Sequence, residues 1–262
     1  MVLFLTATVV GYCSIVYELI LAQCLSVALG NTVVRYAMTI GLYLFSLGMG
    51  SLFLHFYPAR QALRTLFLAE TCLAGIGLVL PFALFGGTEL LRSCVEELGL
   101  SPASFDYLSS VFIHLWVILI GCISGLEVPL LMELTEPRDL SKESLPSEEL
   151  DLADVKPRKG DRASKILACD YIATFAGAVS FPFFIHQTLG LIAGSALMGI
   201  LNAFAALLLS FQLARSKTQS YRFWNILLIL IVILALCVIW KEEFFRSHLI
   251  DFLFPLKQSL KP

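Results

Sequence analysis

Seven long apolar stretches dominate the sequence, and each has the length of a helix that crosses a lipid bilayer. Such a helix needs about 20 residues, because the hydrocarbon core is about 30 Å thick. Of the 262 residues, 58% are hydrophobic and 15% are charged, and a soluble core could not bury so large an apolar share. We therefore predict an all-α, polytopic membrane helical bundle with transmembrane helices at residues 2–29, 35–57, 63–86, 107–132, 166–189, 191–213 and 223–240.

The predicted helices form one unit, a single seven-helix membrane domain over residues 1–262. Residues 135–165 carry both signs of charge and three prolines, and we expect them to form the main soluble loop. Residues 88–106 place leucines at helical spacing against charged residues. This second segment is either a short amphipathic helix at the membrane interface or a loop helix packed on the bundle.

The basic residues give an orientation for the bundle. Twelve of the eighteen Lys and Arg residues fall on the side of the predicted N-terminus, and six fall on the opposite side. The positive-inside rule then puts the N-terminus in the cytoplasm and, after seven crossings, the C-terminus outside. We predict a multi-pass protein of the cell (inner) membrane, with the lipid bilayer as its first partner.

Four acidic residues lie within the predicted spans: Glu18, Glu70, Glu127 and Asp170. A charge at this depth costs about 3 kcal/mol or more, so such groups normally face the bundle interior. Counted from the span ends, Glu70, Glu127 and Asp170 share one level roughly 6 to 10 Å below the N-terminal side, and Glu18 lies deeper.

No Lys or Arg falls in the central part of any span, so these acids lack an evident basic partner. The four carboxyls are candidate ligand-binding residues of a cation site. The structural alternative is that they act as internal hydrogen-bonding groups. In that case Glu127 would bond backbone freed by Pro129, and Asp170 would cap or snorkel at the start of the fifth predicted helix.

The sequence carries few signals of nucleotide binding, catalysis, nucleic-acid binding or metal binding. It contains no nucleotide-binding glycine motif, no metalloprotease motif and no serine-hydrolase motif, and no basic, aromatic segment suited to nucleic acid. The seven cysteines are scattered without a C-x-x-C pair, and we interpret them as small packing residues. We expect no catalytic residue, no metal and no cofactor, which leaves enzymatic activity uncertain.

Several motifs, taken in order, resemble a known family. They are "GYCSIVYELILAQCLSVALGN" at 11–31, "TIGLYLFSLGMGS" at 39–51, "GLEVPLL" at 125–131 and "ILACDYIATFAGAVSFPFFIHQTLGLIAGSALMGILNA" at 166–203. They are similar to the seven-helix membrane domain attached to many bacterial spermidine synthase-like proteins. Glu18, Glu127 and Asp170 fall within these matching motifs.

The resemblance implies a polyamine-related function. In that family the membrane domain precedes a soluble aminopropyltransferase domain of methyltransferase-like fold, which binds decarboxylated S-adenosylmethionine and a diamine. This sequence stops about where that domain begins, so we expect no aminopropyltransferase activity from this chain alone. A cytosolic enzyme domain would also require a cytoplasmic C-terminus, which conflicts with the charge count.

Three functions remain open at this point. The chain is a non-catalytic membrane module that works with a separate synthase-like soluble protein, or a small transporter or binding protein for a polyamine or other organic cation. The third alternative is a truncated or split gene product whose remaining residues are only structural.

Overall fold

The computed structural model describes residues 1–30, 32–56, 61–135, 161–215 and 222–244, and these residues form helices and short turns with no strand among them. The helices are α1 (Val2–Leu29), α2 (Thr32–Phe56), α3 (Ala62–Glu97), α4 (Pro102–Thr135), α5 (Asp161–Ser180), α6 (Gly190–Arg215) and α7 (Arg222–Trp240). A π-helical segment, Phe181–Leu189, joins α5 to α6.

Helix α1 lies at the centre of the bundle and packs on α2, α4, α5 and α6. Its buried side chains, among them Val16, Tyr17, Ile20 and Leu21, form one hydrophobic core with residues of α2, α3, α4 and α6. An apolar interior of this kind has little hydrophobic driving force in lipid, so close van der Waals packing must hold the helices together.

Glycines allow the closest of these helix contacts. A side chain on Gly50 of α2 would meet the Cys122 carbonyl of α4, and one on Gly125 of α4 would meet the Leu47 carbonyl of α2. The small-residue spacing in "GLYLFSLGMGS" and "GCISG" therefore marks a real crossing of α2 and α4.

The chain reverses direction at Gly190, which adopts φ 72° and ψ −172°. Helix α5 runs parallel to α1, because Asp170 lies beside Gly11 and Gly177 lies beside Ile15. Helix α6 runs back: Gly194 lies near both Ile185 and Ile20. The left-handed φ at the turn is one that glycine adopts without steric cost.

Six helical stretches are long and apolar enough to cross a membrane when residues 162–214 are taken as one stretch of 53 residues. A straight helix of that length would extend about 80 Å, far beyond the thickness of a bilayer. The reversal at Gly190 divides the stretch into two helices. The prediction of several membrane-length helices is confirmed, and their number of crossings stays a prediction.

Two predicted boundaries were wrong. Residues 88–97 continue α3 without a break instead of forming a separate helix, and Arg92 links this end to α4, with its guanidinium 5.2 Å from the Phe105 ring centroid. Residues 161–165, predicted as loop, are the first turn of α5. The rest of the predicted soluble loop, residues 136–160, lies outside the described residues.

Candidate functional site

A cavity of about 220 Å³ lies between α1, α2, α4 and α5. We call it the carboxyl cavity, because three of the four acids predicted as site residues line it: Glu18, Glu127 and Asp170. Its other lining residues are Val10, Ser14, Ile15, Leu44, Leu47, Ser124, Val128, Tyr171 and Thr174. The structure thus gathers residues from four helices around one space.

The three acids lie at different depths within the cavity. Glu127 is 1% exposed and Glu18 is 5% exposed, whereas Asp170 is only partly buried. Asp170 lies about 13 Å along α5 from its start at Asp161, and Glu127 lies about 12 Å before the end of α4 at Thr135. Both carboxyls are therefore well inside their helices and away from the helix ends.

Glu70, the fourth predicted acid, lies behind the cavity and does not line it. It is fully buried on α3, and its carboxyl lies near that of Glu127 without a hydrogen bond between the two. This arrangement leaves both groups short of partners: both oxygens of Glu70 and Oε1 of Glu127 have no hydrogen-bond partner in the described part of the chain. Asp170 adds a second negative charge close enough to act on Glu127.

No Lys, Arg or His is among the described residues that line the cavity. Hydroxyl groups are its other polar component. Ser14 forms a hydrogen bond of 3.0 Å with the Tyr43 hydroxyl, and Thr174 donates one of 3.3 Å to the Gly11 carbonyl. The lining therefore combines negative charge and hydroxyls with apolar walls.

Gly11 positions Asp170 against α1. A Cβ atom at Gly11 would lie 2.6 Å from the Asp170 carbonyl oxygen, so any larger residue would push α5 away. The Tyr12 and Ser180 hydroxyls, 2.7 Å apart, tie the two helices together further along. Since α1 also carries Ser14 and Glu18, the glycine contact brings the acids of α1 and α5 into one cavity.

The structure also tests the alternative that Glu127 and Asp170 have only structural, hydrogen-bonding roles. Asp170 cannot cap α5, because the helix begins at Asp161. Glu127 does precede Pro129 within α4, but its Oε1 has no bond to freed backbone. Pro182 lies within the π-helical segment, and His186 lies there too, exposed and stacked on Phe181 with ring centroids 5.8 Å apart.

A metal centre is not supported by the side chains. Within the described ranges, no three His, Cys, Asp or Glu residues come together as a metal ion would require. All seven cysteines are free thiols.

The sequence interpretation missed the hydroxyl residues of the cavity. Their spacing carried a usable signal: Ser14 precedes Glu18 by four positions, Ser124 precedes Glu127 by three, and Thr174 follows Asp170 by four. Residues three or four apart share one face of a helix, so each acid has a hydroxyl neighbour on its own face.

The cavity has the chemistry of a site for a small cation with N–H donors. Carboxylates accept charge-assisted hydrogen bonds from ammonium groups, and these bonds are roughly twice as strong as neutral ones. At about 220 Å³ the cavity is smaller than the ~300–1,000 Å³ typical of sites for drug-sized ligands. A slender aliphatic amine fits these limits better than an aromatic cation does.

Comparison with known proteins reveals relatives with a common name. The chain is 30% identical to the polyamine aminopropyltransferase of Leptospira interrogans over 205 residues. These aligned residues are 78% of this chain and 34% of that protein. It is 28% identical over 200 residues to polyamine aminopropyltransferase 2 of Ralstonia nicotianae, covering 76% of this chain and 33% of the relative.

Polyamine aminopropyltransferase 2 of Streptomyces coelicolor matches over 241 residues at 28% identity, 90% of this chain and 39% of the relative. The chain is thus related to proteins named polyamine aminopropyltransferase, and it spans about a third of their length. No protein-family model matches it, and no solved structure matches it.

Proposed function

We propose that this chain is a multi-pass module of the cell (inner) membrane that binds a polyamine or another organic cation in the carboxyl cavity. The observation that carries the proposal is Oε1 of Glu127, which is 1% exposed and has no hydrogen-bond partner among the described residues, in a cavity that Glu18 and Asp170 also line. Burying such a group without a partner is costly, and a bound ammonium group would supply both the counter-charge and the hydrogen bonds.

The relatives support the choice of amine. Their name refers to polyamines, which are aliphatic chains with protonated amino groups, and the cavity offers carboxylates in a narrow apolar space. The chain matches about a third of each relative, so we further propose that the module works with a synthase-like soluble protein or domain. Seven crossings of the membrane are part of the same proposal, with Gly190 at the turn between the fifth and the sixth.

Ligand-dependent thermal stabilisation tests the amine site. The purified protein in mild detergent is heated with and without spermidine or putrescine, as wild type and with Glu127→Gln plus Asp170→Asn. A ligand that binds only the folded state raises Tm, and we expect this rise in the wild type and its loss in the double variant. The matched control is Glu96→Gln plus Asp106→Asn, which removes two exposed carboxyls outside the cavity.

An unchanged rise of Tm in the cavity variant, or a loss of the rise in the control, would refute the site. The partner proposal has its own test, which is purification from native membranes in mild detergent. A soluble synthase-like protein should co-purify with the bundle, and repeated recovery of the bundle alone would contradict the proposal.

A further inference from the structure

Helices α2 and α5 form the two outer walls of the carboxyl cavity, yet they do not form a packed pair. Among the described helices, α2 packs on α4 and α1, and α5 packs on α1 and α4. The cavity residues on the two walls, Leu44 of α2 and Tyr171 of α5, are 58% and 67% exposed. The cavity is therefore open between α2 and α5, and we call this gap, flanked by Leu44 and Tyr171, the lateral opening.

The lateral opening lies far from the ends of its helices. Leu44 is at the middle of α2, which extends from Thr32 to Phe56. Large apolar side chains surround the opening: Phe45 is 62% exposed, Ile172 is 70% exposed and Phe175 is 71% exposed. A surface of this composition at mid-helix faces lipid, so the opening leads to acyl chains and not to water.

The cavity changes character from the lateral opening inwards. Asp170, next to Tyr171, is partly buried, whereas Glu18 and Glu127 are almost completely buried. Apart from its acids and hydroxyls the lining is aliphatic, with Val10, Ile15, Leu47 and Val128. The cavity thus has two almost completely buried acids, a partly buried acid beside the opening, and apolar walls.

We propose that the carboxyl cavity takes an amphiphilic amine. Its protonated amino group lies among Glu18, Glu127 and Asp170, and its apolar chain passes between Leu44 and Tyr171 into the lipid. This inference rests on the proposed function and adds amines with an apolar chain to the organic cations that the cavity binds. A bare polyamine that entered by this route would carry several charges through hydrocarbon, which membranes strongly oppose.

Photo-crosslinking in proteoliposomes tests the inference. The probe is dodecylamine with a diazirine midway along its chain, and labelled peptides are mapped by mass spectrometry. We expect labels on α2 and α5 near Leu44 and Tyr171, which excess dodecylamine removes and excess dodecanol does not. Glu127→Gln plus Asp170→Asn should reduce this labelling about tenfold.

A matched pair of bulky variants tests the route. Leu44→Trp fills the lateral opening and should also reduce the labelling about tenfold, whereas Leu236→Trp, at a 54% exposed leucine of α7, should leave it unchanged. Leu44→Phe serves as a milder second variant if Leu44→Trp does not fold, as judged by its melting without ligand.

The outcomes separate this inference from the proposed function. Labelling that is equal in the Leu44 and Leu236 variants, or independent of the carboxyls, overturns the amphiphilic ligand. If spermidine still raises Tm in a carboxyl-dependent way, the amine site stands while the lateral route fails. If spermidine has no effect and the labelling is independent of the carboxyls, both proposals fail.

Discussion

Two polar regions lie inside this bundle, and they differ in how their polar atoms are satisfied. In the first, the Tyr17 hydroxyl of α1 donates to the Leu73 carbonyl of α3 at 2.9 Å and accepts from Asn202 Nδ2 of α6 at 3.3 Å. Nearby, Ser195 donates to the Gly77 carbonyl at 2.8 Å. These bonds join α1, α3 and α6, although Asn202 Oδ1 has no partner among the described residues, and we call the region the tyrosine contact.

The carboxyl cavity is the second region, and its Ser14 and Thr174 hydroxyls have partners on neighbouring helices whereas its deepest acid is only partly satisfied. Glu127 is as deeply buried as Tyr17, but its Oε1 has no hydrogen bond, and beside it is open space of about 220 Å³. Polar groups that serve only to join helices are normally satisfied by neighbouring helices. Each region contains a buried atom without a partner among the described residues, so the feature that sets the proposed binding site apart is the open space beside Glu127.

Glu70 lies between the two regions. Its charge acts on Tyr17 on one side and on Glu127 on the other, and neither of its oxygens has a partner among the described residues. It is fully enclosed by protein. In the proposed site Glu70 would therefore act through Glu127 without touching the ligand.

The largest expected effect comes from filling a helix crossing that supports the cavity. In Gly50→Ala, the new Cβ would meet the Cys122 carbonyl, and we expect a loss of about 3 kcal/mol in the free energy of unfolding, the upper end for overpacking. Gly48→Ala is the control, because open space surrounds Gly48 in the same helix, and it should gain about 0.5–1 kcal/mol. Chemical denaturation in detergent measures both, and equal effects would contradict the assigned crossing.

Removing the Tyr17 hydroxyl should weaken the tyrosine contact and leave the cavity intact. Tyr17→Phe leaves Asn202 Nδ2 without its acceptor, so we expect a loss of about 1–2 kcal/mol in the free energy of unfolding. The rise of Tm with spermidine should stay unchanged. Tyr107→Phe, at a 70% exposed tyrosine, is the control. A loss of the Tm rise with spermidine in Tyr17→Phe would contradict the separation of the tyrosine contact from the carboxyl cavity.

Glu127→Gln should have a smaller effect on the protein without ligand. Its Oε1 has no hydrogen bond to lose among the described residues, and the substitution replaces one of three neighbouring acidic groups with a neutral amide. We expect the free energy of unfolding to change by less than about 1 kcal/mol, below the typical effect of a point substitution. A destabilisation comparable to that of Tyr17→Phe would instead mean that Glu127 joins helices.

The smallest effect is expected at His186. Its ring is exposed and contacts Phe181, away from both polar regions. We expect His186→Gln to change the free energy of unfolding by less than about 0.5 kcal/mol. The Tm rise with spermidine should match that of the wild type, and a change in that rise would extend the site into the π-helical segment.

Much of the bundle can be predicted from the sequence because lipid imposes a minimum length on its helices. Helix α7 begins and ends within one residue of the predicted span 223–240. The prediction ended α3 too early, at residue 86, because polar residues follow Gly86 and Gly87. Polarity shows where a helix leaves an apolar environment, but the helix itself continues to Glu97.

The candidate site was only partly predictable. Counting residues along the spans brings Glu70, Glu127 and Asp170 to one level, and the structure does connect these three electrostatically. Counting residues cannot show that Glu18 shares the cavity while Glu70 lies behind it, because that depends on the rotation of each helix about its own axis. Contacts such as Gly11 against Asp170 fix this rotation, and they are pairings distant in the chain.

Infrared difference spectroscopy tests the central claim most directly, namely that a bound amine engages the carboxyls of the cavity. Spectra of the reconstituted protein are recorded with and without spermidine. The account predicts a change in the carboxyl bands that disappears with Glu127→Gln plus Asp170→Asn and persists with Glu96→Gln plus Asp106→Asn. A spectrum without carboxyl changes, or with the same changes in both double variants, would contradict it.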